Sequence, residues 1–333
     1  MLEHFDTVEA HEATYGTWIH PTDRFRADPA DELRALKAEG ANLLRNPSAP
    51  SCLIHDWCQR AHDRLAWLAA DNSTGVGLWR EMLLPFFLQS PFLRRCREKP
   101  RGYAGDYLTI QMMYDQRVQA IEGFGMAVES WAMTQPCPKA VRNRRRLVAA
   151  FVDRACENGN RGRPSIISLG CGPAAEVFDT LRYCRADFTL VDIDQEAIAF
   201  VQTKARDAGL SDHIAVQRAN VIKMVLGNDC RIAEGQSAFY SLGLLDYFND
   251  ALFIRLLDYI HGKLAKGGRA LLGNFRPAHA NTAFFEHALE WPLILRSKSD
   301  LLRIVKQSRF ADCPMNVGAE PEGVQLFIEC EKA

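Results

Sequence analysis

The sequence predicts an α/β protein, a doubly wound and mostly parallel sheet preceded by a helical domain. Three observations predict it. Residues 1 to about 140 space their apolar side chains at the helical period and show little strand pattern. After Pro136 and Pro138, short apolar runs alternate with helical segments, the signature of a sheet covered on both faces. The first of those runs ends in a Gly-x-Gly turn that opens a helix. A length of 333 residues suggests two domains at roughly 150 residues each. The boundary is set between 138 and 139, giving a helical lid or substrate domain over 1–138 and a sheet domain over 139–333.

The elements follow in order. Asp31 to Glu39 reads as a helix with an acidic first turn. Leu53, Ile54, Trp57, Ala61, Leu65 and Leu68 place a second helix over 51–71. Leu78 to Leu93 is a helical stretch interrupted by Pro85 and Pro91, and the Pro and Gly of 99–106 mark a loop. Residues 107–133 are helical again, and a basic helix covers 139–156. The strands are Ser165–Leu169, Asp187–Val191, Ala215–Arg218, Ser237–Leu242, Arg269–Asn274 and Val324–Cys330. No internal repeat of fixed period is present.

Composition excludes several classes. Apolar residues make up 47% and charged residues 24%, which rules out a disordered chain. Forty basic against 41 acidic residues give a net charge of -1, against a large nonspecific nucleic-acid surface. The first sixteen residues lack the basic-then-apolar pattern of an export signal, and apolar runs such as Met82–Leu88 are far short of a membrane span. The ten cysteines are scattered without a CxxC pair. They are expected to be reduced thiols in a cytoplasmic protein that holds no structural zinc.

The chemistry concentrates in Ser165-Ile-Ile-Ser-Leu-Gly170-Cys171-Gly172-Pro-Ala-Ala-Glu176. Glycines there admit positive φ and the close approach of a ligand. Alone, the turn reads equally as an ordinary tight connection. Three strand ends add to it: Asp192 twenty residues past Gly172, Ala219-Asn220-Val221 after the third strand, and Tyr240-Ser241 at the end of the fourth. An acid at the spacing of Asp192 accepts hydrogen bonds from ribose hydroxyls. No Walker pattern occurs, and Glu176 in the first helical turn would repel a pyrophosphate. The site therefore suits a cationic ligand.

With these motifs, residues 165–330 resemble the class I S-adenosylmethionine-dependent methyltransferases. The resemblance implies a seven-stranded Rossmann-like sheet closed by an antiparallel hairpin around Pro314-Met and Val324–Cys330. It also implies S-adenosylmethionine as cofactor. Two departures matter. The family usually carries an acid two residues before the first motif glycine, where this chain has Ser168, and Ala174 replaces the third glycine. Contacts to the cofactor's amino group must then come partly from elsewhere. Arg101-Gly-Tyr-Ala-Gly-Asp106, Ala140-Val-Arg-Asn-Arg-Arg145, Gly273-Asn-Phe-Arg-Pro277 and Glu290 to Arg296 resemble a subgroup associated with methyl-ester formation on 3-hydroxy fatty acids used as extracellular signals. Methionine S-methyltransferases are a second likeness.

The resemblance implies a cofactor set of Tyr103, Arg144, Gly170, Cys171, Gly172, Asp192, Ile193, Asn220, Val221 and Ser241. Asp246 and Tyr247 stand where the reacting groups belong. Asn274, Arg276, Trp291 and Arg296 would meet the substrate. Alternatives stay open for several. Tyr103 faces a sulfonium or forms a surface turn. Arg142 and Arg144–Arg146 are a solvated face, or Arg144 pairs with a carboxylate. Asn220 reads adenine or forms a turn. Asp246 orients an acceptor or caps a helix. Trp291 and Arg296 serve a substrate, or are core and surface. Asp194 caps the next helix; His279 and His287 are bases or structural. The expected partner is a small molecule, not nucleic acid or membrane, and a homodimer is left open. A carboxylate acceptor needs no base and predicts an apolar channel lined by Phe86, Phe87, Phe284 and Phe285. A methionine acceptor predicts a short pocket with paired charges. Two other classes remain as alternatives: a nucleic-acid methyltransferase, through Arg142–Arg146 and Arg161–Arg163, and a noncatalytic ligand sensor.

Overall fold

The computed structural model describes residues 28–71, 74–116, 123–157, 162–227 and 232–333. The N-terminal stretch read against an export signal, Arg161 and Cys230 lie outside them. The described chain divides into two compact units, a helical one of residues 28–139 and 278–292 and a sheet unit of residues 140–277 and 293–333.

In the helical unit, α1 (Pro29–Arg45) is capped by Asp28, whose carboxylate accepts from Ala30 N, with Pro29 in the first turn. Next come α2 (Ser51–Ala70), α3 (Gly75–Met82), α4 (Leu84–Phe87) and α5 (Pro91–Glu98). Pro85 and Pro91 fall in the first turns of α4 and α5, where a missing N–H costs nothing. They therefore divide the stretch rather than kink one helix. α6 (Tyr107–Asp115) and α7 (Gly123–Met133) follow. Trp57 organises the core, stacked on Phe87 at 5.4 Å and edge-on to Phe86 and Phe124, with its Nε1 donating to Leu36 O at 2.8 Å. Gly40 of α1 lies so close that a Cβ there would stand 2.7 Å from the Trp57 ring.

The basic helix, α8 (Pro136–Glu157), begins earlier than the sequence reading placed it. Pro136 and Pro138 are its first-turn residues rather than its boundary, since first-turn amides have no helical acceptor to reach. The sheet unit then alternates β1 (Ser165–Leu169), α9 (Ala175–Thr180), β2 (Asp187–Asp192), α10 (Gln195–Asp207), β3 (Ile214–Arg218), α11 (Val221–Val225), β4 (Gln236–Ser241), α12 (Asp250–Lys263), β5 (Leu264–Phe275), α13 (Lys298–Val305), β6 (Met315–Ala319) and β7 (Gln325–Glu331). One sheet has the order β3-β2-β1-β4-β5-β7-β6. β1 to β5 pair in parallel and β7 runs antiparallel between β5 and β6. This is the expected doubly wound, mostly parallel Rossmann-like sheet with an antiparallel closing pair.

Strand residues alternate between two cores, as the pleat requires. Ile167, Phe239, Leu272 and Ile328 pack under Phe253, Leu256 and Ile304 of α12 and α13. Ile166, Tyr240, Leu271 and Phe327 meet Val148, Phe151 and Val152 of α8 on the other face. The expectation of ten reduced thiols is corrected: Cys156 at the end of α8 is bonded to Cys184 before β2. Their separation of 28 residues carries no local signal, and the fold alone brings the two ends together. Among the described residues, no helix is long and apolar enough to cross a membrane, and no His, Cys, Asp and Glu cluster could hold a metal.

Candidate functional site

The carboxyl ends of β1, β2 and β4 gather most of the sequence-selected residues. Gly170 and Gly172 adopt φ of 66° and 53°, and the Gly170 and Cys171 amides both donate to Val191 O. The turn is thereby bound to the end of β2 with its backbone exposed to any ligand lying across it. Ala174, at the position of the third glycine, takes φ 47°. The chain keeps the left-handed geometry there despite a Cβ, at a cost of ~1–2 kcal/mol.

Asp192 closes β2. Its Oδ2 accepts from Gly172 N and its Oδ1 from Asp194 N, both at 2.9 Å. A carboxylate offers about four acceptor positions, so the bonds that orient Asp192 leave capacity for a hydroxyl-bearing ligand. Burial raises the Asp192 pKa, against these amide bonds that lower it. Asp194 caps α10 through Glu196 N, as read from the sequence. Ile193 between them is exposed and Val221 buried. The Asn220 side-chain oxygen accepts from Ile222 N and Lys223 N, so Asn220 is the N-cap of α11. Ser241 Oγ donates to Leu169 O at 2.8 Å, tying the ends of β4 and β1. Burial pushes the Cys171 thiol well up.

Arg144 separates from its basic neighbours. Arg145 pairs with Asp179 at 2.5 Å near the surface. Arg144 is only 5% exposed. Its Nη1 reaches Leu242 O at a long 3.3 Å, and its Nε has no hydrogen-bond partner among the described residues. Gly243 makes room for it, since a Cβ at that position would lie 3.1 Å from Nη1. The guanidinium is thus buried with few hydrogen-bond acceptors among the described residues.

Asp246 lies in a short 3-10 turn, Leu245–Tyr247, after β4 and caps no α-helix. Its Oδ1 accepts from Phe275 N at 2.7 Å, and burial pushes its pKa up to about 7, with Arg144 and Arg296 opposing the rise. Tyr247 beside it is exposed. Asn274 and Arg296 have interior roles. Asn274 Nδ2 donates to Phe275 O and Ile294 O, while Arg296 Nη1 donates to Asn274 Oδ1 and Leu245 O. Nε and Nη2 of Arg296 reach Asp250, and Nη2 also reaches Phe248 O. The guanidinium is thus a clamp on the β4–β5 loops, neither surface nor ready for a substrate carboxylate. Arg276 is half-buried, and its backbone amide bonds Val324 O.

Two candidates belong to the helical unit. Tyr103 is exposed between Gly102 and Gly105, both with positive φ. Its loop is anchored by Asp106, which caps α6 and pairs with Arg95 at 2.7 Å. Trp291 lines an apolar pocket with Met113, Trp131, Phe284, Phe285 and Leu289. Phe86 and Phe87 lie instead in the aromatic core around Trp57. The polar side chains on the pocket wall are the amides Gln135 and Asn281, and none is charged. His279 approaches Cys137 Sγ at 3.6 Å and is buried, and His287 is half-buried.

Sequence reasoning underrated Glu176. It is buried at 2% exposure, and its Oε1 accepts from Tyr240 Oη at 3.0 Å. Strand alternation, which turns Tyr240 toward the α8 face, was the available signal.

No protein-family model matches the chain, and comparison with curated proteins gave no match. Solved structures do match. A protein of Bordetella parapertussis described as a possible exported protein aligns over 92% of this chain and 97% of its own, at 16% identity and a TM-score of 0.62. Magnesium protoporphyrin IX methyltransferase from Synechocystis, solved with S-adenosylhomocysteine, aligns over 59% and 87% at 12% identity and TM-score 0.46. Geranyl diphosphate C-methyltransferase from Streptomyces coelicolor aligns over 56% and 81% at 14% identity and TM-score 0.42. At its identity the first of these likenesses bears on the fold alone.

Proposed function

We propose that this chain transfers a methyl group from S-adenosylmethionine to a small molecule, with a carboxylate as the acceptor. The observation that carries the reading is the loosely held, buried Arg144 guanidinium at the sheet end that also bears the Gly170–Gly172 turn and Asp192. These residues fit the cofactor. The turn accepts a close approach, Asp192 has acceptor capacity for ribose, exposed Ile193 offers an apolar face to a base, and Arg144 suits the amino-acid carboxylate. When bound, the cofactor supplies a methyl group activated by a positive sulfur.

The protein's own tasks are orientation and exclusion of water, worth roughly 7–11 kcal/mol when reacting atoms are held at about 3–3.5 Å. An ionised carboxylate acceptor presents a free lone pair, so no residue need remove a proton. Were the acceptor a hydroxyl, Asp246 with its pKa near 7 would be the candidate base. An acyl acceptor rather than methionine follows from the subgroup whose motifs the sequence resembles. Small-molecule rather than nucleic-acid chemistry is supported by the basic clusters, where Arg145 is paired with Asp179 and Arg163 lies 3.6 Å from Asp187.

The test has two stages. Calorimetry with S-adenosylhomocysteine should show binding. Incubation with S-adenosylmethionine and a panel of carboxylic acids, amino acids and thioethers should then show a gain of one methyl by mass spectrometry, greatest for acyl carboxylates. Absence of binding would remove the cofactor. Methylation of methionine alone would remove the carboxylate.

A further inference from the structure

Position 168 is where the resembled family places an acid, and here it is a buried serine. Ser168 of β1 is registered directly against Tyr240 of β4, and the two side chains share a hydrogen bond. Tyr240 Oη then donates to Glu176 Oε1 at 3.0 Å. Ser168, Tyr240 and Glu176 thus form one buried chain of polar groups at the sheet end, terminating in a carboxylate that enters from the helix after the glycine turn.

The charges around it are arranged for more than mutual satisfaction. Arg144 is near enough to pull the Glu176 pKa down, yet the two make no ion pair among the described residues. Arg144 and Glu176, each more than nine-tenths buried, therefore lie near each other without a direct ion pair among the described residues. Burial alone raises the Glu176 pKa, and an incoming cation would restore its ionised form. A zwitterion is the complementary ligand, with its carboxylate to Arg144 and its ammonium to Glu176.

We infer that Glu176, steadied by Tyr240, binds the ammonium of the cofactor's amino-acid tail in place of the acid missing at position 168. The inference rests on the proposed use of S-adenosylmethionine. It moves the anionic contact from the strand end to the first turn of α9. Ser168 keeps only the job of orienting the tyrosine hydroxyl.

Three probes separate this role from its rivals: S-adenosylhomocysteine, its analogue without the amino group, and its analogue without the carboxylate. Glu176→Gln should weaken the first and third by at least tenfold and leave the deaminated analogue bound as in the wild type. If Glu176 merely steadied Arg144, the first and second would weaken and the third would not. If it were purely structural, all three would fall together; either pattern overturns the inference, as does unchanged affinity for all. Should Glu176→Gln not fold, Tyr240→Phe is measured instead, with a smaller loss again confined to the amino-bearing probes and a uniform loss or none overturning it. Failure of the wild type to bind S-adenosylhomocysteine would instead strike the cofactor reading.

Discussion

Replacing Arg144 by methionine should separate function from stability with opposite signs. The guanidinium is 5% exposed and, among the described residues, makes a long bond of 3.3 Å to Leu242 O and leaves Nε without an acceptor. Its desolvation is therefore poorly repaid by the fold. Exchange of such buried charges for apolar side chains of similar size is often neutral or stabilising by ~1–4 kcal/mol. Attraction to the carboxyls of Asp246 and Glu176 opposes this. At pH 6, below the Asp246 value of about 7, that opposing term is reduced. Stability at pH 6 should therefore change by no more than ~1 kcal/mol or rise. Affinity should fall, because a charge-assisted bond to a carboxylate is worth ~1.5–3 kcal/mol, or roughly 10–150-fold. Urea unfolding and calorimetric titration with S-adenosylhomocysteine measure the two quantities on one sample. Loss of more than ~2 kcal/mol of stability with unchanged affinity would show Arg144 to be a structural arginine and refute the reasoning.

Three further outcomes are expected. Asp192→Ala should weaken S-adenosylhomocysteine binding at least tenfold, about 1.4 kcal/mol; unchanged affinity by calorimetry removes this assignment. Asp246→Asn keeps the oxygen that accepts from Phe275 N and abolishes a titration. The folded-state pKa of about 7 exceeds the ordinary 3.8, so the folded protein binds more protons between these values and wild-type stability falls as pH rises through them. The variant should flatten that part of the stability–pH curve, and parallel curves from pH 4 to 8 would contradict the assignment. Gly273→Ala places a methyl 2.9 Å from Leu242 O, Gln325 Nε2 and the Phe327 ring. Overpacking of this kind costs ~1–3 kcal/mol, and an unaltered thermal midpoint would show that β5 yields more easily than its neighbours suggest.

The sequence by itself determined the sheet unit. Its central strands are buried on both faces, so they read as continuous apolar runs with glycine-rich ends, and the Ser165–Leu169 run is the observed β1. Asp194 was legible for the same local reason, since a cap bonds an amide two residues away. Tertiary structure alone decided what the polar residues do, because a side chain's partner across the fold leaves no trace in local spacing. It turned Arg296 into a clamp on Asp250, Asn274 and the β4 loop, and joined Cys156 to Cys184. Arg144 and Arg145 are adjacent in one basic run. Helical rotation sends one to a surface aspartate and the other into the buried end of the sheet.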